Sequence, residues 1–233
     1  MLISISKMLR DLAYLFYPIH CAACNNPLHK NERILCTYCR HELPLGNFHN
    51  VNAKKIEKVF YGRIKIENAT SLFIFHKDSL VQNLIHNLKY RGQEEIGEEL
   101  GKWLGRELSQ IRDYKSIDFI VPVPLHKKRL QERGYNQVEK FGIEIAKKLN
   151  AEYINSVLKK KSYTKKQSKR GRFNRWTNTV ETFDTQNESL LINKHILLVD
   201  DIVTTGATIE SCVNALKPIS GIKISIATMA ITV

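Results

Sequence analysis

The stretch Lys194-His-Ile-Leu-Leu-Val-Asp-Asp-Ile-Val-Thr-Thr-Gly-Ala-Thr208 decides the fold. Its apolar run 196–199 reads as a strand buried on both faces, the habit of a parallel sheet covered by helices. Asp200 and Asp201 are expected to end that strand. Thr204, Thr205, Gly206, Ala207 and Thr208 then lead into residues 209–216, whose helical spacing stops at Pro218. A phosphate at such a helix start meets unpaired backbone N–H groups and the positive end of the helix dipole, with three threonine hydroxyls nearby. Gly206 lets the backbone approach the ligand closely. The two carboxylates can grip the vicinal hydroxyls of a ribose, directly or through Mg²⁺. The plainer alternative is a strand followed by a Thr-capped helix.

Outward from this stretch, the chain alternates between strand and helix patterns. Residues 71–75 and 117–123 read as strands, 80–88 and 94–108 as helices, and a further helix is expected over 136–149. Residues 154–158 suggest another strand, and the apolar tail 222–233 completes the pattern. Such alternation argues for an α/β domain: a mainly parallel sheet with helices on both faces, whose ligands lie beyond the carboxyl ends of the strands. The expected division is an N-terminal helix and metal module over 1–58 and the α/β domain over 59–233.

Cys21-Ala-Ala-Cys24 and Cys36-Thr-Tyr-Cys39 are two Cys-x2-Cys knuckles 11 residues apart. Four thiolates at that spacing suit tetrahedral Zn²⁺ and leave no open position for water, so the metal is expected to be structural. So small a module has too little apolar core to fold firmly alone, and metal binding supplies much of its stability. It serves either to brace the N-terminal part against the larger domain or to recognise a partner. Cys212, within a helix pattern, reads as a buried small hydrophobe.

The chain of 233 residues carries a formal net charge of +13, which favours anionic ligands or nucleic acid as partners. Residues 3–17 have apolar residues at helical spacing, interrupted by Lys7, Arg10 and Asp11. No run approaches the roughly 20 apolar residues of a transmembrane segment and no secretion signal is evident, so the expected location is cytoplasmic. Three basic loops can bring charge to the ligand edge. Lys89-Tyr-Arg-Gly92 ends a helix, where cations also suit the dipole. Arg129 and Arg133 lie one helical turn apart before Gly134 and are candidates for multidentate diphosphate contact, while Asn136 can cap the next helix. Residues 159–175 hold nine Lys or Arg and no acid. This segment is either a cover over a diphosphate, hinged at Gly171, or a contact for single-stranded DNA, with Phe173 and Trp176 stacking on bases.

The run 197–208 resembles the ribose-phosphate signature of type I phosphoribosyltransferases. That resemblance implies a phosphoribosyl pyrophosphate site, with Asp200 and Asp201 at the ribose, residues 204–208 around the 5-phosphate, and Lys89, Arg91 and Gly92 as the pyrophosphate loop. Mg²⁺ accompanies the substrate. Together with the cysteine knuckles, Arg129-Leu-Gln-Glu-Arg-Gly-Tyr-Asn-Gln137, Thr164-Lys-Lys-Gln167 and Arg175-Trp-Thr-Asn178, the chain resembles the ComF family of double-zinc-ribbon competence proteins over nearly its whole length. Arg170 stands where that family usually has Leu after Thr-x-x-Gln, which removes an apolar anchor. The resemblance implies a role in DNA uptake and natural transformation. Within it lie two options: phosphoribosyl transfer to an unnamed acceptor with release of pyrophosphate, using Asp200, Asp201, Arg129 and Arg133, or a non-catalytic single-stranded DNA-binding or adaptor role beside DNA-uptake proteins.

Overall fold

The computed structural model describes residues 18–49, 53–161 and 182–232. The expected N-terminal helix over 3–17 lies outside these residues, as does most of the basic insertion, with Gly171, Phe173, Trp176 and the two motifs 164–167 and 175–178.

Five strands form one parallel sheet: β1 (Ala69–Ile74), β2 (Phe119–Pro122), β3 (Glu152–Tyr153), β6 (His195–Val203) and β7 (Lys223–Ile231), in the order β1-β7-β6-β2-β3. A separate antiparallel pair, β4 (Leu158–Lys160) and β5 (Phe183–Thr185), packs Leu158 and Phe183 onto the larger body. The expected strand over 154–158 is thus corrected. Asn155 and Ser156 are exposed, and the chain leaves the sheet after β3 before pairing again at Leu158.

Alternation along β6 distributes the core. Leu197 and Val199 face one layer with the short helix α1 (Thr37–Glu42), through its Cys39, and helices α3 (Leu80–Tyr90), α4 (Glu95–Leu108) and α6 (Glu139–Leu149). Ile196 and Leu198 face the other, with α2 (Ala53–Phe60) and α7 (Ala207–Leu216). Both faces are therefore covered, as a strand with no polar side requires. α6 begins at Glu139 and not at Asn136, because Asn136 spends its side chain on the turn: Nδ2 donates to the Val123 carbonyl and Oδ1 accepts the Val138 N–H.

α4 and α6 approach unusually closely. Gly97, Gly101 and Gly105 recur every fourth residue of α4 and turn one face of it to α6. A Cβ built on Gly101 would stand 2.5 Å from the Phe141 carbonyl oxygen, whereas one on Gly97 would stand 3.3 Å from its nearest neighbour. Phe141 belongs to α6, which leads through β3 and seats the turn carrying Gln137, so this packing reaches the ligand edge of the sheet. Gly101→Ala is expected to destabilise the protein by about 2 kcal/mol, overpacking outweighing the helix propensity gained. Thermal melting should fall by roughly 4–8 °C. Gly97→Ala should cost less, and an unchanged melting temperature for Gly101→Ala would refute the packing.

Candidate functional site

The sheet's order creates a seam between β2 and β6. The connection from β2 runs outward over the face of α6 to β3, whereas the connection from β6 runs through α7 on the opposite face to β7. Ligands in open α/β sheets settle at such a reversal, beyond the carboxyl ends of the strands. Here β2 pairs with β6 as far as Pro122 opposite Val199, and β6 continues, paired with β7 alone, to Ile231 opposite Val203. Asp200 and Asp201 therefore do not end the strand, as the sequence led one to expect. They sit inside it, just where one neighbour has left and the other remains.

Strand alternation sends the two carboxylates to different sides. Asp200 accepts the Asp201 N–H at 2.8 Å. Asp201 is 4% exposed and has both oxygens engaged: Oδ1 with Lys89 Nζ at 2.9 Å and Oδ2 with Gln137 Nε2 at 2.5 Å. Gln137 in turn accepts Arg133 Nη1 at 2.7 Å, and the Arg133 guanidinium lies 5.3 Å from the centre of the Tyr90 ring. Lys89 and Arg133 are thereby held from one acid, and Asp201 is buried with partners as an ionised carboxylate must be.

Past Val203 the backbone turns through Thr204 and Thr205, both exposed, to Gly206, which takes φ +76° at the N-cap of α7. Gly206 itself brings no capping side chain, and Thr205 Oγ1 accepts the Ala207 N–H at a long 3.4 Å, so the start of α7 keeps donors that an anion could take. Its neighbours suit glycine too, since an added Cβ would lie 2.9 Å from the Phe60 ring. Ala207 is exposed and Thr208 half-buried in the first turn.

Lys89 and Arg91 close α3, and Gly92 follows at φ +67°. Arg129 and Arg133 fall on the short helix α5 (Lys127–Arg133), which Gly134 ends at φ +79°. Lys89, Tyr90, Gly92, Arg129, Glu132, Arg133 and Tyr135 line one cleft of about 330 Å³. The Tyr135 hydroxyl donates to the Leu88 carbonyl, and burial pushes its phenol up, which keeps it a donor. Arg91 is exposed and outside the lining. A larger cleft of about 530 Å³ runs along α7 toward the amino ends of the strands, between Lys65 and Lys217. Its position at the wrong ends of the strands makes it a poorer candidate despite its size. Sequence reading missed Gln137, quoted only within a longer motif, and Arg63, which reaches the 204–208 turn from the loop after α2; neither has a local signal for this role, because Asp201, Thr205 and Glu210 lie far along the chain.

The four knuckle cysteines converge, with all Sγ atoms within 4.8 Å of one another and Cys24 and Cys36 Sγ 3.8 Å apart. Sulfurs around tetrahedral Zn²⁺ stand about that far apart for Zn–S bonds of roughly 2.3 Å. Cys21 Sγ accepts the Cys36 N–H and Cys36 Sγ accepts the Cys39 N–H, each at 3.4 Å, the polarisation that thiolates need. Burial and the neighbouring sulfurs push the Cys39 thiol up, so four thiolates coexist here only around a cation. The donor set fits Zn²⁺. The module shares a core with α3, whose Asn83 and Asn87 donate to the carbonyls of Ala23 and Ala22 at 2.8 Å. Cys212 is fully buried in α7. Purified protein should hold about one zinc ion by elemental analysis. Cys36→Ser should lower that content and the melting temperature together; full-length protein that holds no tightly bound metal would contradict the site.

The phosphoribosyl transferase domain family matches residues 138–230, from the start of α6 to the end of β7. The chain is 25% identical over 218 residues to Competence protein F of Haemophilus influenzae, covering 87% of this chain and 92% of that one. It is 27% identical over 195 residues to Competence protein ComFC of Bacillus subtilis, covering 82% and 74%. Against ComFC of Streptococcus pneumoniae identity is 36% over 101 residues, 43% of this chain and 42% of the other. Among the described residues no helix is long and apolar enough to cross a membrane. The chain is thus similar to the ComF competence proteins over most of its length, and its residues from α6 to β7 match the phosphoribosyl transferase domain family.

Proposed function

We propose that this protein binds phosphoribosyl pyrophosphate with Mg²⁺ at the carboxyl end of β6 and serves DNA uptake. One observation carries the reading: paired acids, a helix started at a glycine of positive φ, and a cation-lined cleft meet at the topological reversal of the sheet. The family match over 138–230 and the competence relatives support it.

Each part of the ligand has a chemical counterpart. The 5-phosphate takes the N–H groups of residues 204–208 and the dipole of α7. The ribose hydroxyls lie over the acidic strand end of Asp200 and Asp201, and the diphosphate runs toward Lys89, Arg91, Gly92, Arg129 and Arg133. The fit of a substrate-borne Mg²⁺ rests on hard oxygen donors, which the acidic strand end and the diphosphate both supply. Mg²⁺, when bound, supplies charge neutralisation on the diphosphate. In a transfer reaction an acceptor attacks C1 of the sugar and pyrophosphate leaves with the electron pair of the broken C–O bond. Lys89, Arg129 and Arg133 stabilise the charge that develops on it. No covalent nucleophile on the protein is required. The cysteine module holds Zn²⁺ in a structural capacity and carries no step.

Calorimetric titration of phosphoribosyl pyrophosphate with Mg²⁺ is expected to give clear heat for the wild type. The double variant Asp200→Asn, Asp201→Asn should lose at least about tenfold in affinity, the scale of one charge-assisted contact. Equal binding by both proteins would refute the acidic strand end as the ribose contact.

A further inference from the structure

The turn assigned to the 5-phosphate has a support outside every motif described so far. Arg63, in the loop between α2 and β1, donates from Nη1 to the Thr205 carbonyl at 2.6 Å and to the Val59 carbonyl at 3.2 Å. Its Nη2 pairs with the carboxylate of Glu210, in the first turn of α7. One guanidinium thus ties the end of α2 to both sides of Gly206, which only a planar, multiply donating group can do.

Two physical consequences follow at the turn. In a trans peptide the carbonyl and the N–H point in opposite directions. Holding the Thr205 oxygen on the Arg63 side therefore turns the Gly206 N–H to the other side, and the Phe60 ring, 2.9 Å from where a Gly206 Cβ would stand, fills the space beneath. Glu210 is the second matter. A carboxylate in a first turn suits the helix dipole, yet it repels a phosphate bound at the same terminus. Arg63 neutralises it. The pair's side chains are 37% and 30% exposed, so its contribution to folding is small and its effect lies in the local field.

We infer that Arg63 is a positioning residue for phosphate recognition: it aims the backbone of the 204–208 turn at the sugar phosphate and cancels the charge of Glu210 beside it. This rests on the phosphoribosyl reading above and adds a residue that no motif supplies. The probe is ribose 5-phosphate, titrated into the full chain with melting temperature measured for each variant. Arg63→Gln is expected to bind it about tenfold more weakly at little cost in melting temperature. Arg63→Lys, which keeps the charge but loses the fork, should fall between Arg63→Gln and the wild type. Adding Glu210→Gln to Arg63→Gln should recover much of the loss, because the repelling charge is then gone, and this coupling is a readout that simple fold damage does not give. Wild-type affinity in Arg63→Gln would overturn the inference, as would a loss that Glu210→Gln does not relieve. Failure of the wild type itself to bind ribose 5-phosphate would overturn the underlying pocket assignment, and that outcome is seen before any variant is compared.

Discussion

The site depends on an asymmetry in the hydrogen bonding of β6. Up to Val199 the strand is paired on both sides; beyond it, β7 alone keeps it extended as far as Val203. Beyond Val199 the β2 ladder no longer runs along β6, and this is the point in the sheet where an open α/β fold takes its ligands. Two acids are accommodated there although both are buried, because Lys89 and Gln137 engage the two oxygens of Asp201 and Asp200 accepts the Asp201 N–H. Everything that converges on the crevice arrives from elements fixed by this pairing: α7 from the end of β6, α5 from the end of β2, and the close of α3 from above.

A continuous mechanical path joins the cysteine module to this crevice. The module's backbone carbonyls are bonded to Asn83 and Asn87 on α3, and the same helix ends in Lys89 against Asp201. The four cysteines therefore do more than close a small loop. They set the lie of a helix whose last turn carries a cation to the acidic strand end, which favours the bracing role over an isolated recognition finger. From the other face, α2 and Arg63 hold the 204–208 turn, so the two halves of the ligand edge are supported by separate layers of the fold.

Much of this was legible in the sequence because its signals are local. The apolar run before Asp200, the glycine after Thr205 and the two cysteine knuckles each impose their own geometry within a few residues, and each takes the place expected. The clustering of Lys89, Arg129 and Arg133 could be anticipated from their helix ends once the parallel sheet was granted. What stayed hidden depends on contacts distant in sequence. Nothing near Asp201 reveals that Gln137 and Lys89 occupy both its oxygens. The strand's persistence past the acids comes from β7, and the approach of α4 to α6 comes from three glycines whose spacing reads equally as weak helix. Residues 154–157 misled because Ile154 and Val157 are both buried in the second core layer, yet they bond to different partners, Ile154 to Ile120 and Val157 to Gln186, with Asn155 and Ser156 exposed between them.

The central claim is that a phosphoribosyl diphosphate lies across the seam between β2 and β6. The most direct test is a crystal structure of the full chain grown with phosphoribosyl pyrophosphate and Mg²⁺. The account predicts density with the 5-phosphate against the backbone of 204–208, the ribose beside Asp200 and Asp201, and the diphosphate toward Lys89 and Arg133. Density elsewhere, or a seam left empty at saturating ligand, would contradict it.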